Sequence, residues 1–347
     1  MCETEDIVST TVYKYDGDGN QISNYKKESE WSCHNYLSGH DFENLDAWTA
    51  EAVNTVDTIL IQSRETDNAK YGDYVLRMQT LDKNATANGV YQTVTLPAGT
   101  YTASAYLRLM NISGNPSMYI RVTSSDGTTL AESEHLDKKY SDYIRVSEVF
   151  TVTQSTSVTV HILMDGRGIA YADAVQLEKG GCAGEYSLIE NGGFENAATG
   201  WIRTPTFRTN AGTGTDQSFS CKGKVDTGTP AYICQYIPAK KSRGTKESFT
   251  LSGWAKGYGL TNLERSDCYT PSFRLRAEIK YNDTEYNETG TETYTADFSP
   301  QTEEWQFASL QFSKEKYCKI EYICIYCDYE YNNGKYTLMK LNLSEIV

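Results

Sequence analysis

The chain carries one set of landmarks twice, in the same order. Phe42-Glu43-Asn44 followed by Trp48 returns as Phe194-Glu195-Asn196 followed by Trp201. Tyr91-Gln92-Thr93-Val94-Thr95-Leu96-Pro97-Ala98 returns as Ile233-Cys234-Gln235-Tyr236-Ile237-Pro238-Ala239, with Gln92 matching Gln235 although the spacing differs by one. The segment 101–108 parallels 249–256, and 143–150 parallels 305–312. Both halves close on an alternating stretch, Tyr171 to Leu177 and Tyr336 to Leu343. A period of roughly 150 residues is too long for a solenoid repeat and implies a duplicated domain.

Short alternating runs separated by turn residues read as strands, and no stretch shows a helical apolar stripe. The expectation is an all-β chain: two consecutive jelly-roll β-sandwich domains, over 33–180 and 181–347, after a short hairpin segment over 1–32. In that segment, Tyr13-Lys14-Tyr15 runs into the turn Asp16-Gly17-Asp18-Gly19-Asn20 and out again, a hairpin signal. The linker Glu178-Lys179-Gly180-Gly181-Cys182-Ala183-Gly184 is small and is expected to be flexible.

Composition narrows the function classes. The formal net charge is -14, which repels phosphate backbones and excludes nucleic acid as a natural partner. No stretch reaches the roughly 18 apolar residues of a membrane helix, so no membrane insertion is expected. The acidic start Met1-Cys2-Glu3-Thr4-Glu5 lacks the apolar core of a signal peptide, so an export signal would lie outside this sequence. The nine cysteines include one Cys-x-x-Cys, Cys324 and Cys327, without a second pair to complete a zinc site. In a strand those two point to opposite faces, so buried free thiols are expected, with one or two disulfides as the alternative. The sequence lacks Gly-x-Ser-x-Gly, His-Glu-x-x-His and a phosphate-cradling glycine loop, and its 4 His are scattered. The chain is expected not to be an enzyme.

Three stretches together resemble carbohydrate-binding modules of the family 4/9 type and their galactose-binding-like relatives. They are Leu188 to Asn196 with Trp201, the Leu-Pro-Ala-Gly turn at 96–99, and Tyr171-Ala172-Asp173-Ala174-Val175-Gln176-Leu177. The segment Tyr13 to Gln21 also resembles one unit of the YD repeat of Rhs-type, wall-associated bacterial proteins. The resemblance implies an extracellular or cell-wall location. Polysaccharide or cell-surface glycan is the implied partner, with the rest of a parent YD-repeat polypeptide. It further implies one structural calcium in the first module, with Glu43 and Asp173 as ligands, the carbonyl of Asp41, and an oxygen between Asp67 and Gly72. The alternative is that Glu43 and Asp173 only accept backbone amides. The second closing strand has Met339 or Lys340 where the carboxylate would stand, so calcium there is expected to be weak or absent.

Sugar recognition needs exposed rings beside a few polar groups. The resemblance points to Trp254 and Tyr106, with Lys256 and Arg108 beside them, and more weakly to Tyr119 and Arg121 on a neighbouring strand. Core packing is the competing role for each ring, and the expected role for Trp48 and Trp201. The functional expectation is a non-catalytic pair of glycan-binding modules. The alternatives are a structural spacer or adhesin without sugar binding, or an accessory region of a YD-repeat toxin.

Overall fold

A computed structural model of the chain describes residues 9–15, 21–28, 35–51, 58–63, 68–140, 142–194, 197–204, 207–210, 218–224, 231–238, 247–262, 272–283, 285–299, 304–315, 318–330 and 332–346. All regular structure among them is β. At the start, β1 (Ser9–Tyr15) and β2 (Gln21–Glu28) pair antiparallel, with Tyr13 opposite Asn24.

The first module contains β3 (Thr49–Glu51), β4 (Thr58–Ser63), β5 (Val75–Thr80), β6 (Asn88–Leu96), β7 (Gly99–Ser124), β8 (Thr129–Glu132), β9 (Ile144–Val152) and β10 (Thr156–Lys179). Two of these strands are far longer than the usual five or six residues, because β7 and β10 serve two layers. Their register breaks between Asp165 and Ala170, beside Gly114 and the left-handed Gly166. A Cβ on Gly166 would lie 2.7 Å from the Asn115 carbonyl oxygen, so the corner requires glycine. One layer runs β3, β6, the first part of β10, the last part of β7, then β8. The other runs β4, β5, the last part of β10, the first part of β7, then β9. Strands that change sheets at bulged corners are a recognised way to build such a sandwich.

The second module repeats that order with separate strands. These are β11 (Ile202–Arg203), β12 (Phe207–Asn210), β13 (Ser218–Lys224), β14 (Ala231–Pro238), β15 (Glu247–Asn262), β16 (Ser272–Asp283), β17 (Glu288–Asp297), β18 (Gln306–Lys314), β19 (Cys318–Glu330) and β20 (Asn332–Ile346). Its sheets are β11-β14-β19-β16-β17 and β12-β13-β20-β15-β18. Strand for strand, these match the two layers of the first module.

Each module has its own apolar cluster, one drawn from residues 37–177 and the other from 189–343. Alternation puts Phe273, Leu275, Ala277 and Ile279 of β16 inward and leaves Arg274, Arg276 and Glu278 on the outer face. The opening motifs are held identically. Trp48 Nε1 donates to the Gly39 carbonyl at 2.8 Å, and Trp201 Nε1 to the Asn191 carbonyl at 3.0 Å. Both indoles are buried in their module's core. Gln92 accepts from Ser38 N–H and donates to Ser38 O, each at 2.9 Å. Gln235 does the same to Glu190, at 2.8 and 2.9 Å. A buried amide side chain that mimics a strand partner explains why both modules need Gln there.

The segment joining the modules is pinned, against the expected flexible linker. Gly184 N–H donates to Glu178 at 3.0 Å, the Tyr186 hydroxyl lies 2.6 Å from His40 Nδ1, and its ring stacks on Tyr71 at 4.7 Å. Leu188 N–H then donates to the Leu343 carbonyl at 2.7 Å, entering the second module.

Candidate functional site

The paired strand registers allow the modules to be superposed residue by residue. Gln92 stands for Gln235, so Tyr91 stands for Cys234 and its partner His161 for Tyr326. One strand further, Arg121 lies opposite His161, and Arg276 lies opposite Tyr326. The two arginines therefore occupy the same point on the outer face of the same sheet.

Around Arg121, the guanidinium sits 5.3 Å from the Tyr119 ring centroid and pairs with Glu132 at 2.5 Å. Tyr119 is buried beneath His135, the two rings parallel at 3.8 Å. His135 in turn reaches Glu132 and Ser117, both at 3.2 Å. On the next strand His161 bonds Glu51 at 2.6 Å and Thr123 at 3.0 Å, with Tyr91 beside it. Burial, with the nearby Asp165 carboxylate, pushes the Tyr119 hydroxyl up to about 12, so it stays a neutral donor.

Around Arg276, the guanidinium lies 3.6 Å over Tyr326 and grips Asp328 through Nε at 2.6 Å and Nη2 at 3.0 Å. This is a bidentate pair, the strong kind. The tyrosine pairs Tyr232–Tyr326 and Tyr236–Tyr322 stand at 5.7 and 4.9 Å along β14 and β19. Between them lie the buried free thiols Cys234 and Cys324. Cys327, three residues on, points instead into the core.

Of the expected platform residues, Tyr119 and Arg121 lie in the arginine cluster just described, and Tyr106, Arg108, Trp254 and Lys256 lie on the other sheet. Tyr106 stands opposite Arg145 and Asp173; Trp254 stands opposite Phe307 and Met339. Tyr106 and Arg108 do not face open solvent. Loop 68–74 and Tyr186 lie over them: Tyr71 packs edge-on against Tyr106 at 5.8 Å, and Arg108 is buried between the rings of Tyr143 and Tyr171. Trp254 is half-buried and packs at 5.2 Å on Phe307, which is 55% exposed. Lys256 Nζ lies 4.6 Å over Trp305, as Arg108 lies 5.2 Å over Tyr143. Sequence reasoning passed over Tyr91, His135, His161, Arg276 and Tyr326. Only the ladder register brings them together.

The expected calcium ligands, the Glu43 and Asp173 carboxylates and the carbonyl of Asp41, come from one neighbourhood of the first module. Asp41 bonds Glu43 N–H at 3.2 Å, and it acts electrostatically on both Glu43 and Asp173. Glu43 accepts the amides of Asp73 and Tyr74 at 2.6 and 2.8 Å. Asp173 accepts those of Lys70, Tyr71 and Ala174 at 2.7, 3.0 and 2.7 Å. Burial drives Glu43 up to about 7 and Asp173 well above the usual carboxylate range, more than the amide bonds bring them down. Hard oxygen donors suit calcium, and a cation would reverse those shifts. Yet among the described residues no group of three or more His, Cys, Asp or Glu stands arranged to hold a metal ion. In this arrangement the carboxylates serve as amide receptors. Asp67 lies outside the described residues, as does Glu195. In the second module Met339 holds the ladder position of Asp173, and Lys340 shares the left-handed φ of Ala174, 52° against 50°.

Comparison with known proteins gives three findings. Residues 39–161 match the family described as a domain of unknown function, DUF5013. Among curated proteins, the chain is 24% identical over 328 residues to the tRNA nuclease WapA of Bacillus subtilis strain 168 and over 327 residues to the tRNA(Glu)-specific nuclease WapA of Bacillus subtilis subsp. natto. It aligns over 89% of its own length but spans only 13% of theirs. Among solved structures it is similar to the tandem CBM22 domains of Paenibacillus barcinonensis Xyn10C. That match has 14% identity and a TM-score of 0.32, over 92% of this chain and 99% of that one. It is also similar to TmCBM61, solved in complex with beta-1,4-galactotriose, with 16% identity and a TM-score of 0.36, over 42% of this chain and 99% of that one.

Proposed function

We propose that the chain is a pair of non-catalytic glycan-binding modules from a larger exported bacterial protein, anchored on the sheet faces that carry Arg121 and Arg276. The observation that supports this reading is the repeated lattice point: an arginine beside an aromatic ring and a carboxylate, on the outer face of the same sheet in both modules. Rings stack on the apolar faces of pyranoses, and fixed Arg–carboxylate pairs present donors and acceptors to vicinal hydroxyls. Trp254, Phe307 and Lys256 form a second aromatic surface in the second module.

The test is retention of the full chain on immobilised polysaccharides and a glycan array. Arg121→Ala with Arg276→Ala should abolish retention while the far-ultraviolet spectrum is kept. Trp254→Ala should weaken it if the second surface takes part. Undiminished retention by the double variant would place the sugar elsewhere. A chain that binds no glycan would favour the spacer alternative, which the already paired state of both arginines supports.

The match to the far longer WapA proteins supports origin in a long parent polypeptide, and the hairpin at residues 9–28 supports our reading of that parent as a YD-repeat protein. In this reading any nuclease chemistry resides outside this segment. For the first module we add one calcium at Asp41, Glu43 and Asp173, and little or none in the second, where Met339 replaces the carboxylate. Calorimetric titration separates the modules: Asp173→Asn should remove any calcium heat, and heat that survives it would refute the assignment.

A further inference from the structure

On the outer face of the β7–β10–β9 layer, two cations flank one tyrosine and a third lies two residues along the same strand. Lys70 Nζ and the Arg145 guanidinium each lie 5.4 Å from the Tyr106 ring centroid. Two residues along β7, Arg108 lies 5.2 and 5.3 Å from the rings of Tyr143 and Tyr171. Lys70 and Arg108 are only 8% and 7% exposed.

None of the three makes an ion pair with a described residue. Arg108 donates from Nη2 to the side-chain oxygen of Asn68. Arg145 donates from Nη2 to Ser104 at 3.2 Å and to Gln176 at 2.5 Å. Every one of those acceptors is neutral. The Nε–H groups of both arginines are buried with no acceptor. The nearest acids on β10 are committed elsewhere, Asp173 to three backbone amides and Glu178 to Gly184 N–H. Glu178 remains pushed up to about 7 by burial, with Arg145 drawing it down only in part.

Buried cations without counter-charge are costly, and like charges close together raise that cost. Ring faces compensate a cation in part, but a ring accepts no in-line hydrogen bond from a guanidinium Nε–H. What satisfies two guanidinium edges and an ammonium together is a small oxyanion. We propose that Lys70, Arg108 and Arg145 form an oxyanion receptor in the first module, taking a carboxylate or a phosphate group. It is distinct from the arginine lattice faces and does not depend on them.

The second module provides the internal control. Lys256 stands for Arg108, Trp305 for Tyr143 and Trp254 for Tyr106, but Phe307 replaces Arg145. That surface has exchanged a cation for an exposed ring and should not hold the anion.

The experiment is thermal unfolding of the full chain in sodium phosphate, sodium glucuronate and sodium chloride at matched ionic strength. A ligand that binds only the folded state raises its melting temperature. Phosphate, glucuronate or both should raise the first transition by a few degrees above chloride, and the larger rise identifies the natural head group. Arg108→Gln should remove that rise, and Lys256→Gln should keep it. If Arg108→Gln does not fold, Lys70→Gln takes its place. The Nε–H resonance of Arg108 should also move on phosphate or glucuronate addition. The proposal is overturned if neither anion exceeds chloride, if the rise survives Arg108→Gln or Lys70→Gln, or if Lys256→Gln abolishes it.

Discussion

The two modules share a strand order, a tryptophan-to-carbonyl bond, a glutamine clamp and an arginine lattice point, yet they dress these in opposite ways. The first covers one sheet's outer face with loop 68–74 and the joining segment, sealing cations beneath tyrosines. The second leaves the equivalent rings Trp254 and Phe307 at the surface and gathers tyrosines on its other sheet. The lesson is that the backbone lattice was preserved while the use of each face changed.

The largest test of that equivalence is in the cores. Trp48→Ala and Trp201→Ala each remove a buried indole and its bond to a carbonyl, and each should cost its module about 4 kcal/mol in urea unfolding. A difference of more than twofold between them would break the symmetry. Next is the shared arginine point, where the modules should differ. Arg276→Ala removes the bidentate partner of the buried Asp328 carboxylate, leaving it only Arg274 Nε at 3.3 Å, and should cost about 2 kcal/mol. Arg121→Ala loses a half-exposed pair and should cost less than about 1 kcal/mol.

The third test uses pH. Glu178 is buried and its folded pKa is raised to about 7, so the native state holds its proton more tightly than the unfolded chain. The contribution of Glu178 to the stability of the first module should therefore be full near pH 4 and fall by about 3 kcal/mol as pH rises to 7 and just beyond, with Glu43 and Asp173 sloping the same way. Glu178→Gln should make that slope shallower, as followed by chemical denaturation across the range. A slope unchanged by the substitution would remove Glu178 as its cause. The fourth test is at Gly72, in a left-handed turn at φ 65°, where a Cβ would lie 2.1 Å from Glu43 Oε1. Gly72→Ala should lower the melting temperature of the first module by a few degrees, equivalent to about 1–2 kcal/mol.

Much of the scaffold was legible in the sequence because period-two alternation and repeated landmarks are local signals. Gln92 and Gln235 could be aligned before their clamps were seen, and Tyr143 could be set against Trp305. The face each ring adopts was less legible. Tyr106 and Trp254 share a ladder position, but only the folded chain brings Tyr71 and Tyr186 over the first. Arg276 carried no sequence signal, since its kinship with Arg121 passes through three strands and two registers. Lys70 carried no sequence signal either; its burial in the fold is what singles it out.

In the first module, β7 and β10 each run through both layers. No sheet there can detach as a sheet, because its neighbour is made of the same two strands. Formation of either layer must await contacts between residues as distant as Tyr101 and Lys179. Such non-local closure makes folding slow and all-or-none. A chain drawn out from its ends would meet this module as one fastening, with no weaker layer to yield first.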